Sequence, residues 1–159
     1  MAAVIALMAR DAGAPKVALQ FLSSPQLDCR EDYESHFEFA EGYGLTRDSD
    51  LWAIEQYLSD PADRWDWRAS PVLVESVRGV APALFSVGAW EILRDEARLY
   101  ANRLRDAGVP VHYLEADQHA HGYLRWVDPR TGKPTQIAAQ HNEEVARIMR
   151  NYIGSESRS

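Results

Sequence analysis

The segment EADQHAHGYLRW, residues 115–126, carries the residue types in this chain that are best suited to chemistry. Asp117, His119 and His121 alternate, and on an extended strand they could present two or three ligands to one metal ion. His121 also opens a His-Gly-Tyr run, which suits a general base on a tight loop because imidazole changes its charge near neutral pH. Which chemistry applies depends on the element that holds these residues.

Alternating strand and helix patterns surround this segment. Short apolar runs with β-branched and aromatic members predict strands at 16–22, 81–88 and 109–116. Helical spacing of apolar residues predicts helices at 2–12 (ending near Gly13), 48–58, 94–108 and 135–153. This order predicts an α/β fold with about three parallel strands flanked by helices. The last strand should end near Glu115 or Ala116, which leaves the histidines in a loop and disfavours the metal site.

Two loops at the carboxyl ends of the predicted strands stand out. Functional residues of open parallel sheets gather at this edge. Glu91 follows the strand at 81–88, and His121 follows the strand at 109–116. An acid after one strand and a histidine after the next is the second half of the order nucleophile, acid, histidine found in α/β-hydrolases.

A series of short motifs makes that correspondence specific. The pieces ASP, PAL, LRDE, YA, RLRDAGVPV and HGY occur in one order over residues 69–123. In this order and spacing they resemble the C-terminal part of the hormone-sensitive-lipase-like esterases, the α/β hydrolase fold-3 family. LSSPQLD at 22–28 and YLSDPADR at 57–64 resemble the family's strand-end loop and a short lid-side segment, so the resemblance covers residues 1 to about 126.

The resemblance implies a carboxylic ester hydrolase that works through a serine acyl-enzyme, on a small-molecule ester and with no metal or organic cofactor. It makes His121 the general base and Glu91 the acid that orients the imidazole. The family has Asp where this chain has Glu91, so the loop must adjust to one more methylene. The alternative for Glu91, and more strongly for Asp95, is a carboxylate favoured by a helix N-terminus. His119 matches no functional position of the family and is expected at a loop or pocket rim.

The nucleophile of that family is not found in these residues. The family carries its serine on GDSAGG and its oxyanion donors on HGGG, and the 159 residues contain no G-x-S-x-G. Ser23 and Ser24 follow a predicted strand, but Pro25 is incompatible with the helix that a nucleophile elbow requires. We therefore expect the C-terminal half of an esterase, inactive alone, whether clipped or a genuine remnant. The alternative function is a non-catalytic remnant that binds a small apolar ligand or a partner chain.

Composition limits the partners, the cysteine-dependent sites and the cellular location that are expected for this chain. The 17 basic and 24 acidic residues give a net charge of −7, which disfavours nucleic acid and anionic membrane surfaces as partners. Cys29 is the only cysteine, so an internal disulfide and a cysteine-rich zinc site are excluded, and a structural thiol is expected. The apolar start has neither the basic residues of a signal peptide nor the length of a membrane span, which favours a cytoplasmic location.

The domain is predicted to span residues 1–153, with a disordered tail at 154–159. In helix 48–58, Asp48 or Ser49 is expected as the N-terminal cap. Its apolar face is predicted to comprise Leu51, Trp52, Ile54, Tyr57 and Leu58. Residues 60–71 are predicted as a loop. Four aromatic residues of this region could line an acyl pocket or pack in the core or lid: Trp52, Tyr57, Trp65 and Trp67. A lone half-sheet would also leave an open edge at strand 16–22, through which copies could associate.

Overall fold

A single parallel sheet organises the computed structural model, which describes residues 1–156. Its strands lie in the order β1 (Gln20–Ser23), β2 (Ala83–Trp90) and β3 (Val111–Ala120). The helices are α1 (Ala2–Ala12), α2 (Glu34–Glu38), α3 (Arg47–Tyr57), α4 (Arg94–Asp106) and α5 (Gln136–Glu156). Short 3-10 turns lie at Pro61–Trp65, Pro71–Leu73 and Tyr123–Arg125. The prediction of three parallel strands flanked by helices is confirmed.

The central strand β2 is buried on both faces, as expected for a parallel sheet between helices. On one face, Phe85 and Val87 join a core with residues of α1 and α4. The small side chains of Ala3 and Ala6 are buried there and allow α1 to approach the sheet closely. On the other face, Leu84 packs against Val145 and Ile148 of α5. The carboxyl ends of all three strands therefore share one edge between two helical layers.

Several boundaries differ from the sequence prediction. Helix 2–12 is confirmed and ends at Gly13, whose φ of 69° is left-handed. The first strand begins at Gln20 rather than residue 16, because its partner β2 begins only at Ala83, opposite Gln20. The last helix continues to Glu156 instead of ending at 153. Residues 157–159 of the predicted tail lie outside the described residues.

Strand β3 runs to Ala120, so the predicted end near Glu115 or Ala116 is wrong. The cause is a register shift between Gly88 and Trp90 of β2, after which Trp90 pairs with Ala120. Backbone pairing with β2 extends the strand beyond its apolar residues. His121 therefore follows immediately after the strand instead of lying within a long loop.

The predicted helix at 48–58 is confirmed as α3, but its cap residue and its buried face differ from the prediction. Thr46 is the cap instead of Asp48 or Ser49: its Oγ1 accepts a hydrogen bond from the Ser49 N–H at 3.2 Å. Of the predicted apolar face, Ile54 is buried, whereas Trp52 and Tyr57 are 64% and 57% exposed. Burial of Asp50, one turn before Ile54, shows that α3 turns a mixed face inward.

Several short helical elements lie between β1 and β2. The predicted loop 60–71 contains the 3-10 turn Pro61–Trp65, and a second turn begins at Pro71. The short helix α2, which the sequence did not indicate, precedes α3. None of the helices in residues 1–156 combines the length and the apolar character that a bilayer crossing demands.

Candidate active site

His121 and Glu91 meet at the carboxyl edge of the sheet. Glu91 follows β2 directly and His121 follows β3 directly, and these strands are neighbours. The His121 Nδ1 atom lies 2.9 Å from Glu91 Oε2. Because an ionised carboxylate can only accept, Nδ1 carries the hydrogen and donates it to Glu91. The structure thus brings together the two residues that the sequence singled out, 30 positions apart.

The two partners differ in their access to solvent. Glu91 is fully buried, whereas the His121 side chain is 23% exposed. The second oxygen of Glu91, Oε1, accepts a hydrogen bond from the Gly88 N–H at 3.1 Å. Both oxygens are therefore partnered, as a buried carboxylate requires. Glu91 precedes α4 and contacts the end of β2, whereas the acidic residues in the first turn of that helix are Asp95 and Glu96.

Gly88 lets the two strand ends approach each other. A Cβ at this position would overlap the carbonyl oxygen of His119 and would lie 2.8 Å from that of Ala120. Only a residue without a side chain fits between β2 and this part of β3. Gly88 is part of the site that sequence reasoning missed, since an isolated glycine in a strand gives no indication of what approaches it.

Backbone contacts hold the loop that carries His121. The His121 N–H donates to the carbonyl oxygen of Tyr43 at 3.1 Å. Gly122 has a left-handed φ of 72°, and its N–H donates to Ser24 Oγ at 3.4 Å. Sequence reasoning also missed these tethers from Tyr43 and Ser24, because no local pattern connects residues so far apart in the chain.

The residues that could serve as nucleophile lack the necessary setting. Ser24 follows β1 with a strained φ of 41°, but the next helix begins only at Glu34, so no strand-turn-helix elbow forms. Burial raises the pKa of the Cys29 thiol to about 11, against the effect of a hydrogen bond with Ser70. Over residues 1–156, the hydrogen bond found for the His121 imidazole is the one to Glu91. The described residues therefore place a buried carboxylate beside an imidazole, without an activated nucleophile next to them.

His119 and Asp117 do not join His121 in a metal site. The His119 Nδ1 atom lies 2.6 Å from the carbonyl oxygen of Asp117, and its ring packs 5.7 Å from that of Trp126. Asp117 is exposed. In the part of the chain that the structure describes, no three side chains of the metal-binding types converge. Alternation along β3 is thus present, but it does not bring the three side chains to one point.

A group of buried ionisable side chains lies between β1 and β2, in residues 24–82, which form the covering segment over the strand ends. Glu31 and Asp50 face each other, and Gln26 donates a hydrogen bond to Asp50 at 3.0 Å. Burial raises the pKa of Glu31 to about 8, the charge of Asp50 acts in the same sense, and the charge of Arg47 opposes this rise. Burial also raises the pKa of Asp50, and the charge of His121 is among the groups that oppose this rise. Both carboxyl groups therefore keep their protons to a higher pH than free side chains do.

The aromatic residues of the covering segment divide between the surface and the core of the described chain. Trp52, Tyr57 and Trp65 are all more than half exposed. Arg30 lies over the ring of Trp65, with its guanidinium carbon 5.1 Å from the ring centroid. Trp67 packs against the main core, as the alternative interpretation expected.

Comparisons with known proteins agree with this geometry. The sequence model of the alpha/beta hydrolase fold family matches residues 1–125. The chain is 39% identical over 129 residues to the carboxylic ester hydrolase LipN of Mycobacterium tuberculosis, covering 78% of this chain and 34% of that protein. It is 31% identical over 116 residues to an ethyl acetate hydrolase of Pseudomonas putida, covering 73% and 36%. The chain therefore spans about a third of the length of these curated relatives.

Solved structures show the same similarity. An alpha/beta hydrolase enzyme from the metagenome of Lake Arreo superposes with a TM-score of 0.85 at 33% identity, covering 96% of this chain and 46% of that one. A thermostable esterase from Pseudomonas putida gives a TM-score of 0.73 at 35% identity, covering 76% and 39%. With the family model matching most of the chain, the conclusion is that this protein belongs to the α/β-hydrolase fold family, in the hormone-sensitive-lipase-like group that its motifs resemble.

Proposed function

We propose that this chain supplies the acid and the base of a serine carboxylic ester hydrolase. The observation that carries the proposal is the 2.9 Å hydrogen bond from His121 Nδ1 to the buried Glu91. With the proton of the neutral imidazole fixed on Nδ1, the lone pair of Nε2 is free to accept a proton from a hydroxyl nucleophile. The names of the relatives LipN and ethyl acetate hydrolase support an ester as the substrate.

The proton transfers follow from this arrangement. A serine hydroxyl gives its proton to His121 Nε2 as its oxygen forms a bond to the ester carbonyl carbon. The imidazolium then gives that proton to the leaving alcohol as the ester C–O bond breaks. Water attacks the acyl-enzyme in the same way, and the proton taken by His121 returns to the serine. Glu91 stabilises the charged imidazolium at each stage, and these steps use side chains and water alone.

The serine and the oxyanion donors belong to polypeptide outside the 159 residues in this proposal. Neither G-x-S-x-G nor HGGG occurs in the sequence, and Ser24 and Cys29 do not replace them. The acid and base alone should give little turnover, because loss of the serine alone lowers the rate of a serine protease by about a millionfold.

The test restores the complementary half. The chain is assayed with p-nitrophenyl butyrate, first alone and then fused to the N-terminal segment of a related esterase that carries HGGG and GDSAGG. We expect turnover only in the fused protein, its loss in His121→Ala, and its retention in the control His119→Ala. An active fusion that is indifferent to His121→Ala would contradict the proposal. So would turnover by the chain alone that His121→Ala abolishes, because it would require a different nucleophile.

A second candidate is a non-catalytic remnant that binds a small apolar ligand or a partner chain. The observation in its favour is the open side of β1, which within residues 1–156 pairs only with β2. This candidate predicts that every fusion to a serine-bearing segment stays inactive although it folds. Circular dichroism of the fusion, recorded beside the ester assay, separates this outcome from misfolding.

A further inference from the structure

A buried chain of hydrogen bonds lies beside the candidate site and takes no part in the proposed proton transfers. The Ser86 Oγ atom of β2 lies 2.7 Å from the Tyr123 hydroxyl oxygen. That same hydroxyl lies 2.6 Å from Nδ1 of His141 in α5. Ser86 and Tyr123 are fully buried. These two hydrogen bonds therefore connect β2, the loop that follows His121 and helix α5.

The protonation state of His141 decides which group donates the hydrogen in each of these hydrogen bonds. Burial lowers the pKa of His141, the charge of His119 acts in the same sense, and Glu144 opposes them. In the tautomer with its hydrogen on Nε2, neutral His141 accepts from the Tyr123 hydroxyl at Nδ1. Tyr123 then donates its hydroxyl hydrogen to His141 and accepts one from Ser86. All three groups have a partner, and the order of donors is fixed.

We propose that His141 and Tyr123 are positioning residues for His121, an inference that rests on the proposed function of His121 as a general base. Tyr123 lies two residues after His121, and Ser86 lies two residues before Gly88, whose N–H holds Glu91. The Tyr123 hydroxyl thus fixes the segment that carries His121 against the strand that positions Glu91.

The other tethers of the loop explain why this anchor matters. Gly122 separates His121 from Tyr123 and has little intrinsic stiffness. The His121 N–H donates to the Tyr43 carbonyl oxygen at 3.1 Å, but the following Gly122 N–H reaches Ser24 Oγ only at 3.4 Å, the long end of the hydrogen-bonding range. Helix α5 is itself fixed to the sheet, since its Val145 and Ile148 pack against Leu84 of β2. Asn142 Nδ2 of α5 also donates to the Leu124 carbonyl oxygen of the loop at 2.9 Å. His141 is therefore a rigid acceptor against which the loop is held.

The position of this loop affects which ring nitrogen of His121 carries the hydrogen. Nδ1 keeps the hydrogen as long as Glu91 is within hydrogen-bonding distance, and a displaced loop leaves both tautomers accessible. A tautomer with the hydrogen on Nε2 has no lone pair there to accept the proton of a nucleophile. Loss of the anchor at Tyr123 should therefore change the proton position on His121.

The experiment records long-range ¹H–¹⁵N correlation spectra of the labelled 159-residue chain, in which the ring ¹⁵N shifts of His121 report the protonated nitrogen. We expect the Nδ1–H pattern in the wild type. In His141→Phe the ring shifts should move toward the Nε2–H pattern. In His141→Asn the Nδ1–H pattern should persist, because the side-chain oxygen of Asn can replace Nδ1 as acceptor. Thermal melting of each variant records its stability separately.

Tyr123→Phe is the second variant, which removes only the hydroxyl and should give the same shift as His141→Phe. An Nδ1–H pattern that persists in a folded Tyr123→Phe or His141→Phe chain would overturn the proposal and assign these residues to stability alone. A wild-type chain without the Nδ1–H pattern would overturn it as well. The spectra do not depend on turnover. A folded but inactive fusion with the expected tautomers would therefore contradict the esterase proposal, whereas the effect of Tyr123 and His141 on the His121 ring would still be shown.

Discussion

Gly88 of β2 packs directly against the backbone of His119 in β3, with no room for a Cβ between them. This contact occurs where the register of the two strands shifts, between Gly88 and Trp90. The same glycine donates its N–H to Glu91, and β3 delivers His121 two residues after His119. The backbone at Gly88 therefore affects how closely Glu91 and His121 approach each other.

We predict that Gly88→Ala destabilises the chain and separates Glu91 from His121. The new methyl group must displace backbone at His119 and Ala120, and overpacking of this kind costs about 1–3 kcal/mol. Urea unfolding measures the loss. Gly154→Ala is the matched control, because a Cβ there meets nothing within 4 Å and alanine favours the helix. Equal stability of the two variants would show that β3 can move away from Gly88 at no cost.

We predict that Glu91→Gln lowers kcat of a fused, active enzyme by about 10⁴-fold, the size seen when a triad acid becomes an amide. The amide nitrogen can donate to His121 and thereby favour the wrong tautomer, while the shape of the side chain is preserved. The measurement is steady-state kinetics with p-nitrophenyl butyrate. A loss confined to KM would contradict the role of Glu91 in orienting the imidazole.

Asp95→Asn is the comparison for Glu91→Gln, and we predict an effect mainly on stability. Despite opposing desolvation, the Arg94 guanidinium, 2.8 Å away, lowers the pKa of Asp95. Asp95 also accepts a hydrogen bond from the Ser35 N–H at 3.0 Å, which ties α4 to α2. Thermal melting should show a lower Tm, with kcat changed by less than about 10-fold. The opposite ranking of the two variants would transfer the acid role to Asp95.

The candidate site shows how far sequence reasoning extends. Motif order identified Glu91 and His121, because a triad requires particular residue types after particular strands. Their separation in space depends on Gly88 and on the tether from Tyr43, and neither has a local pattern. The Tyr123 hydroxyl likewise meets His141 only because α5 packs across the sheet. Contacts between distant segments, rather than the residues themselves, were what the sequence left undetermined.

The fold shows the same division at α3. Helical spacing identified the helix, but apolar residue types predicted the wrong inward face. Trp52 is exposed, whereas Asp50 is buried and its carboxyl group accepts a hydrogen bond from Gln26. Partners from another segment thus decided burial at this position. The extension of β3 has the same origin, since pairing with β2 continued beyond the apolar residues.

The pair formed by Glu31 and Asp50 leads to a pH prediction. Folding raises the pKa of Glu31 from 4.5 to about 8, so between these values the folded chain holds a proton that the unfolded chain releases. Stability from this group is therefore complete below about pH 4.5 and is lost as the pH rises through about 8. The slope is at most about 1.4 kcal/mol per pH unit for one proton. Burial lowers the pKa of His36, which acts in the opposite sense only around pH 6.5 and below.

We predict that Glu31→Gln gains stability relative to the wild type as the pH rises from 7 to 9. Glutamine keeps the shape of the side chain but has no proton to lose in this pH range. Urea unfolding at each pH measures the difference, and Glu41→Gln at an exposed position is the control for the loss of one carboxylate. A difference between Glu31→Gln and the wild type that stays constant with pH would show that Glu31 is already ionised in the folded chain.

The last prediction concerns the open edge at β1. Within residues 1–156 this strand pairs only with β2, so its other side presents unpaired backbone groups. Ile5 and Met8 of the adjacent α1 are 54% and 51% exposed, which adds an apolar surface near the same edge. Exposed strand edges of this kind favour pairing with another chain. We therefore predict that the isolated chain associates with itself.

Analytical ultracentrifugation over a range of protein concentrations measures this association. Ser23→Lys places a charge at an exposed position of β1 and should shift the population toward monomer, because a lysine on an edge strand opposes strand pairing. Ser59→Lys adds the same charge at an exposed site away from the sheet and should leave the association unchanged. A wild-type chain that stays monomeric at high concentration and melts in one sharp transition would refute the prediction. Such a result would also favour a domain that folds independently, because a stable monomer does not need a second chain to pair with the open edge of β1.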